Sequence, residues 1–185
     1  MKVELKVNDK SVQAEISEEQ LKETILFEQL KKLGLLEDKP KTGYERVKEG
    51  ETYYVINTED DSMLNITEFN DQTDERCYNK GNYYNDKMIA KNNARADRLL
   101  RQLRQWQAQN DKAISISDWK NDNIFKYHIE YDCFNDFHFV VYTTRFRSPN
   151  TIYFTSGEKA EEAIEVFKDE LKWYYTKYQQ RLDEE

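Results

Sequence analysis

The sequence predicts an α+β protein: an N-terminal ββα unit over residues 1–42, followed by two βββα units over 43–112 and 113–185. Three observations predict it. Short stretches of alternating apolar and polar residues, rich in Tyr, Phe and Val, recur between Asn, Asp and Gly breaks, which is the pattern of strands and turns. Three longer stretches repeat their apolar residues every three or four positions, the helical period. The last two units also align with one another: Tyr83-Tyr84-Asn85-Asp86 matches Tyr153-Phe154-Thr155-Ser156, and Ala90 matches Ala160, at a spacing of about 70 residues.

The first unit opens with Val3, Leu5 and Val7 alternating with polar residues, and Val12, Ala14 and Ile16 doing the same beyond an Asn8-Asp9-Lys10 turn. Ser17-Glu18-Glu19-Gln20 reads as a capping box. The helix behind it carries Leu21, Ile25, Leu26, Leu30 and Leu33 on one face and stops at Gly34. Lys39 to Gly43 is the connector.

The second unit begins with a strand at Thr52–Ile56, turns at Asp60-Asp61 and returns as a strand over Met63–Phe69. Asp71 to Glu75 is a polar break, and Arg76–Tyr84 is the third strand, interrupted at Lys80-Gly81. A helix over Lys87–Trp106 follows, with Asn85 and Asp86 at its cap and Asn110-Asp111 closing it. In the third unit, Ile124–Asp132 places Phe125, Tyr127, Ile129 and Tyr131 on one strand face. Asn135-Asp136 turns, Phe137–Thr144 returns, and Ile152–Phe154 is a short third strand after the Ser148-Pro149-Asn150 turn. Thr155-Ser156-Gly157-Glu158 reads as a capping box for the last helix, whose apolar side is Ala160, Ala163, Ile164, Phe167, Leu171, Tyr174 and Tyr178.

The helix at Lys87–Trp106 is the informative stretch. Ile89, Ala96, Leu99, Leu100, Leu103 and Trp106 fall on one side at 100° per residue. Lys87, Lys91, Arg95, Arg98 and Arg101 fall roughly opposite, with Arg104 on the flank, against a single Asp97. Solvated helix faces usually mix signs at i,i+4, whereas like charges there repel. These six residues are therefore the candidate binding set, for a nucleic-acid phosphate or an acidic protein surface. The last helix carries many acids in the equivalent position, so the scaffold does not require a basic helix, and pairing of the two helices within or between chains is a further reading.

The chain has 185 residues with a net charge of −8, and the segments on either side of the basic helix are acidic. The two cysteines, Cys77 and Cys133, do not make a disulfide framework and are expected as buried small residues, which points to a reducing cytosol. No apolar run approaches the roughly 20 residues of a membrane span, and MKVELKVNDK is not a secretory signal. The Asn65-Ile66-Thr67 sequon carries no meaning without secretion.

Catalytic chemistry is not visible. Neither His128, beside Lys126 and Glu130 on a polar strand face, nor His138 has Cys or carboxylate at metal-ligand spacing, so no metal or cofactor is expected. There is no phosphate-binding glycine loop, nucleophile elbow or HExxH. Glu4-Leu5-Lys6 and Glu170-Leu171-Lys172 have a nuclease-like spacing, but the first lacks a preceding acidic strand and the second lies on a helix. The acidic groups Glu59-Asp60-Asp61 and Asp71, Asp74, Glu75 read as solvated turns. Their sharper reading is mimicry of a phosphate backbone.

MKVELKVNDKSVQAEISEEQLKE, GYERVKEGETYYVIN, GNYYNDKMIAKNNARA and NTIYFTSGEKAEEAIEVF resemble segments of small accessory proteins of Firmicutes phages and prophages. Some acidic, enzymatically silent proteins of that kind are anti-CRISPR inhibitors. The resemblance thus implies a non-enzymatic phage protein that acts in the bacterial cytoplasm. It would bind a host nucleoprotein effector, such as Cas9 with guide RNA, and block DNA engagement or cleavage. The alternatives are a nucleic-acid-binding accessory protein that uses the basic helix directly on DNA or RNA, and an assembly protein in which that helix is a subunit interface.

Overall fold

The computed structural model describes residues 2–7, 10–15, 17, 41–134 and 138–184. They combine antiparallel hairpins with helices, which is the α+β class. The chain divides into two units, Met1–Pro40 and Lys41–Glu185. In the first, β1 (Lys2–Val7) and β2 (Lys10–Glu15) form a hairpin with Lys2 opposite Glu15 and Val7 opposite Lys10. Asn8 and Asp9 of the expected turn, the helix expected over 18–34, Lys39 and Pro40 lie outside the described residues. The Asn135-Asp136 turn does as well.

The second unit holds two more hairpins. β3 (Thr52–Ile56) pairs with β4 (Met63–Thr67), and β5 (Lys126–Asp132) pairs with β6 (His138–Thr144). The helices are α1 (Gln72–Asn79), α2 (Lys87–Asn110), α3 (Ile116–Trp119) and α4 (Gly157–Lys177). The basic helix forms as expected, capped by Asp86, whose side chain accepts from the N–H groups of Met88 and Ile89 at 2.8 and 2.9 Å.

Several expectations need correction. The stretch read as a polar break and a third strand is α1. Asp71 caps it, accepting from Thr73 and Asp74 N–H, while the Asp74 carboxylate accepts from Asp71 N–H at 3.1 Å. This is a reciprocal box closed by Asp, where the expected sequence form has Glu or Gln. The third strands shrink to single bridges, Tyr54 to Tyr84 and Tyr127 to Phe154. α4 is capped by Ser156, not Thr155, because Thr155 is bonded to Asp111. Cys77 lies on α1 and is half-buried, and Cys133 is exposed beyond β5. Phe125 precedes β5 and is exposed, and Lys126, expected on the polar face, is buried with its ammonium donating to the Asn121 carbonyl at 3.2 Å. The acidic turns are not simply solvated: Asp61 pairs with Arg101, Asp74 is buried, and Glu75 pairs with Arg46 at 2.6 Å.

The core is organised along α2. Its first half gives Ile89, Ala90 and Ala94 to a cluster with Ile56 and Tyr84. Its second half gives Leu99 and Leu103 to a cluster with Phe154, Ala160, Ala163, Ile164 and Leu171. Each fully buried large aliphatic side chain contributes roughly 2 kcal/mol of transfer free energy. Gly43, at φ +96°, passes so close to α2 that a Cβ there would lie 3.0 Å from Ile89 Cγ1. The C-terminal residues return to this point: Leu182 N–H donates to the Thr42 carbonyl, and the Tyr44 hydroxyl to the Gln180 carbonyl.

Behind β3 the core is polar but satisfied. The Tyr53 and Tyr83 rings stack at 4.0 Å. The Tyr53 hydroxyl donates to buried Asp74 at 2.7 Å, and the Tyr83 hydroxyl to buried Glu68 at 2.6 Å. Arg46 donates to Glu68 at 3.0 Å. Removing one partner of such a pair strands the other in low dielectric. Tyr83→Phe is therefore expected to lower unfolding stability by about 1–3 kcal/mol, measured by urea titration, with an unchanged slope.

Glu45 gives a pH signature. Burial pushes its pKa up, but hydrogen bonds from the Thr42 hydroxyl and N–H and from Asn85 outweigh this and hold the carboxyl down at about 2, below its ordinary 4.5. A depressed carboxyl stabilises the fold above its unfolded value, and that stabilisation is lost as pH falls through the folded one. Glu45→Gln is expected to be less stable at pH 7 and to show a flatter loss of stability between about pH 4.5 and 2, read from urea midpoints across that range.

Candidate binding groove

α2 presents its six basic residues unequally. Arg95 has become part of the fold. Its guanidinium donates twice to Glu170 of α4, at 2.8 and 2.9 Å, and lies 4.0 Å over the Trp173 ring. Hydrogen bonding to Arg95 holds the Glu170 carboxyl below its ordinary range. Arg101 is bonded to Asp61 in the β3–β4 turn. Lys87, Lys91, Arg98 and Arg104 are exposed and make no ion pair with any described residue.

Lys87, Lys91 and Arg98 border one groove of about 800 Å³. α2 forms its floor, the turn residues Asp61–Met63 one wall and Trp173 the other. The helical period puts Lys87, Lys91 and Arg98 within one narrow strip, since residues three, four and seven apart share a face. Ala94 lies between them, small enough for the hairpin to approach, while Met88 is exposed at the rim. Arg104 lies outside this groove, beside Gln107, Trp119 and Arg147.

Lys87, Lys91, Arg95 and Arg98 line the groove against one carboxylate, Asp61, which is bonded to Arg101. The first turn of α2 carries no acidic residue and begins with Lys87. The Met88 and Ile89 N–H groups are taken by the Asp86 carboxylate at the cap. The groove thus offers cations, an aromatic face already stacked with a guanidinium, and a methionine, which together suit an anion with an apolar or planar part. Among the described residues no group of His, Cys, Asp and Glu could hold a metal ion, and no helix is long and apolar enough to cross a membrane.

Trp173 and Met63 were invisible as site residues in the sequence. They arrive from other elements, and only the spacing of Glu170 and Trp173, three apart on one helix, hints that both meet one partner. His128 and His138 stay apart, opposite Tyr142 and Asp132 in the β5–β6 register, and His128 bonds Glu130 at 2.8 Å.

The division of labour is testable by stability alone. Arg95→Gln is expected to cost about 1 kcal/mol, through loss of the two-pronged ion pair and the ring contact. Arg98→Gln should stay within about 0.5 kcal/mol of the parent. Thermal melts of the two variants check this, and equal losses would mean that Arg98 is structural as well. Comparison with protein-family models, with curated proteins and with solved structures gives no match for this chain.

Proposed function

We propose that the protein works by stoichiometric binding, with the groove along α2 taking a phosphate backbone. The carrying observation is that Lys87, Lys91 and Arg98 share one strip of α2 and pair with no carboxylate among the described residues, while Arg95 and Arg101 of the same helix are held by Glu170 and Asp61 and Arg104 lies elsewhere. A scaffold that pairs its basic residues where stability needs them gains nothing from three adjacent like charges. Phosphates relieve that repulsion and release counterions. The exposed Met88 gives bases or sugars an apolar surface to rest on.

The resemblance to phage accessory proteins supplies the biological form of this reading. The nucleic acid is then one handled by a host nucleoprotein effector, such as Cas9 with guide RNA, and occupation of that path blocks the effector. The pairing of residues 43–112 with 113–185 as two copies of one unit belongs to the same reading. The second copy's acidic helix completes the groove through Trp173, and the first supplies the cations.

Binding of a labelled RNA or DNA 20-mer, followed by fluorescence anisotropy at several salt concentrations, tests the groove. Affinity is expected to fall with salt. The Lys87→Gln, Lys91→Gln, Arg98→Gln triple variant is expected to reduce the log–log slope by about 2–3, at 0.7–0.9 per phosphate contact. Unchanged slope in a folded triple variant removes the groove from the interface. Capture of a host effector by the tagged parent, surviving nuclease treatment and lost in the triple variant, tests the inhibitor form.

A further inference from the structure

The two hairpins of the second unit extend in the same way for one residue and then part. β3 makes its extra bridge at Tyr54 to Tyr84, and β5 the corresponding one at Tyr127 to Phe154. Antiparallel register puts the next such pair two residues on, Ile56 opposite Asn82 and Ile129 opposite Ile152. In neither does main chain meet main chain. At Ile56, a carboxamide does the work: Asn82 Oδ1 accepts from the Ile56 N–H at 2.8 Å, and Nδ2 donates to the Ile56 carbonyl at 2.9 Å.

The Ile152 side chain has no polar atom to offer at the equivalent place. The Ile129 carbonyl accepts the Tyr175 hydroxyl at 3.1 Å instead. Tyr127 exchanges both its main-chain bonds with Phe154, so Tyr127 and, by alternation, Ile129 face away from β6. No described residue accepts from the Ile129 N–H on that side. Between Ile129 and Ile152 lies a cavity of about 410 Å³, walled by Leu100, Leu103, Tyr174 and Tyr175. His128, whose Nδ1 is buried without a partner among the described residues, borders it too.

We propose that this cavity is a binding site for a small molecule carrying a primary carboxamide on an aromatic or apolar body. The ligand's amide repeats what Asn82 does: its oxygen accepts from the Ile129 N–H, and its NH₂ donates to the Ile129 carbonyl, whose second lone pair remains for Tyr175. Its apolar body lies against Leu100, Leu103 and Ile152, and its ring against the tyrosines. A carboxylate fits worse, since it brings no donor and sits near Glu130, which also borders the cavity. The site shares no lining residue with the basic groove, so it stands or falls independently of that reading.

The test is a titration of benzamide into the ¹⁵N-labelled full chain, following the Ile129 amide signal, with benzoate and N,N-dimethylbenzamide as companions. Benzamide is expected to shift Ile129 saturably with a Kd of about 1 mM, typical of a ligand this small. The companions, each lacking the donor, are expected to bind at least about fivefold more weakly. Ile152→Asn supplies the carboxamide from within and should abolish the response. No saturable shift at Ile129, equal affinity for benzamide and its dimethyl analogue, or undiminished binding by a folded Ile152→Asn chain would each overturn the proposal. Should Ile152→Asn not fold, the three ligands on the parent chain decide it.

Discussion

One helix serves two cores, and the rest of the second unit follows from that. α2 is 24 residues long, and neither hairpin can bury its apolar face without it. The first half must face β3 and β4, which takes Ile89, Ala90 and Ala94. The second half must face α4 and the β5 sheet, which takes Leu99 and Leu103. The buried side therefore shifts around the helix between residues 94 and 99. Arg95 stands at the shift, held by Glu170 and Trp173 from α4. Lys87, Lys91 and Arg98 share an exposed strip that neither core covers. The groove is thus a consequence of the shared spine: hairpin and α4 approach α2 from different sides and leave a channel between them. Its floor is rigid because its opposite side is core, and a rigid presentation lowers the ordering cost of binding.

What the sequence shows clearly is what depends on neighbours in the chain. The span of α2, its Asp86 cap, the hairpin alternation and the alignment of Tyr84 with Phe154 are all local patterns. Two helices escaped, and for one reason. α1 and α3 are each opened by a box whose third residue is Asp, Asp71 with Asp74 and Ser115 with Asp118. A shorter carboxylate still reaches the cap N–H, so a search for Glu or Gln passes over both. Tyr83-Tyr84 and Ile152–Phe154 have strand composition, yet each makes only a single bridge. Composition does not say that pairing stops after one bridge, nor that Asn82 then continues it with a side chain. The six cations looked alike for a similar reason. Only long-range packing distinguishes Arg95 and Arg101, which have carboxylates from distant segments, from the four that pair with no described carboxylate.

The acidic excess is also less free than its arrangement along the chain suggests. Asp74 and Glu68 are buried against tyrosine hydroxyls, Glu75 holds Arg46, Asp61 holds Arg101, and Asp111 holds Thr155. Carboxylates used in this way cannot also imitate a phosphate ladder. This weakens mimicry in the β3–α1 region and leaves the cationic strip as the face whose charge the fold does not use.

That strip sits on a molecule of net charge −8, and the combination constrains its partner. Beyond about 8–10 Å at physiological salt the net charge is screened, so attraction is decided at short range by the groove itself. At longer range and lower salt the whole molecule repels free nucleic acid and is drawn toward basic surfaces. A nucleic acid already lying in a basic protein channel satisfies both conditions. In the proposed function, such a channel would attract the acidic body of the chain and the phosphates would meet Lys87, Lys91 and Arg98. The same argument disfavours free duplex DNA as the partner, because its charge density acts on the −8 body before the groove is reached. Within that proposal, a free oligonucleotide should bind only through the groove itself, at a distance where the net charge is screened.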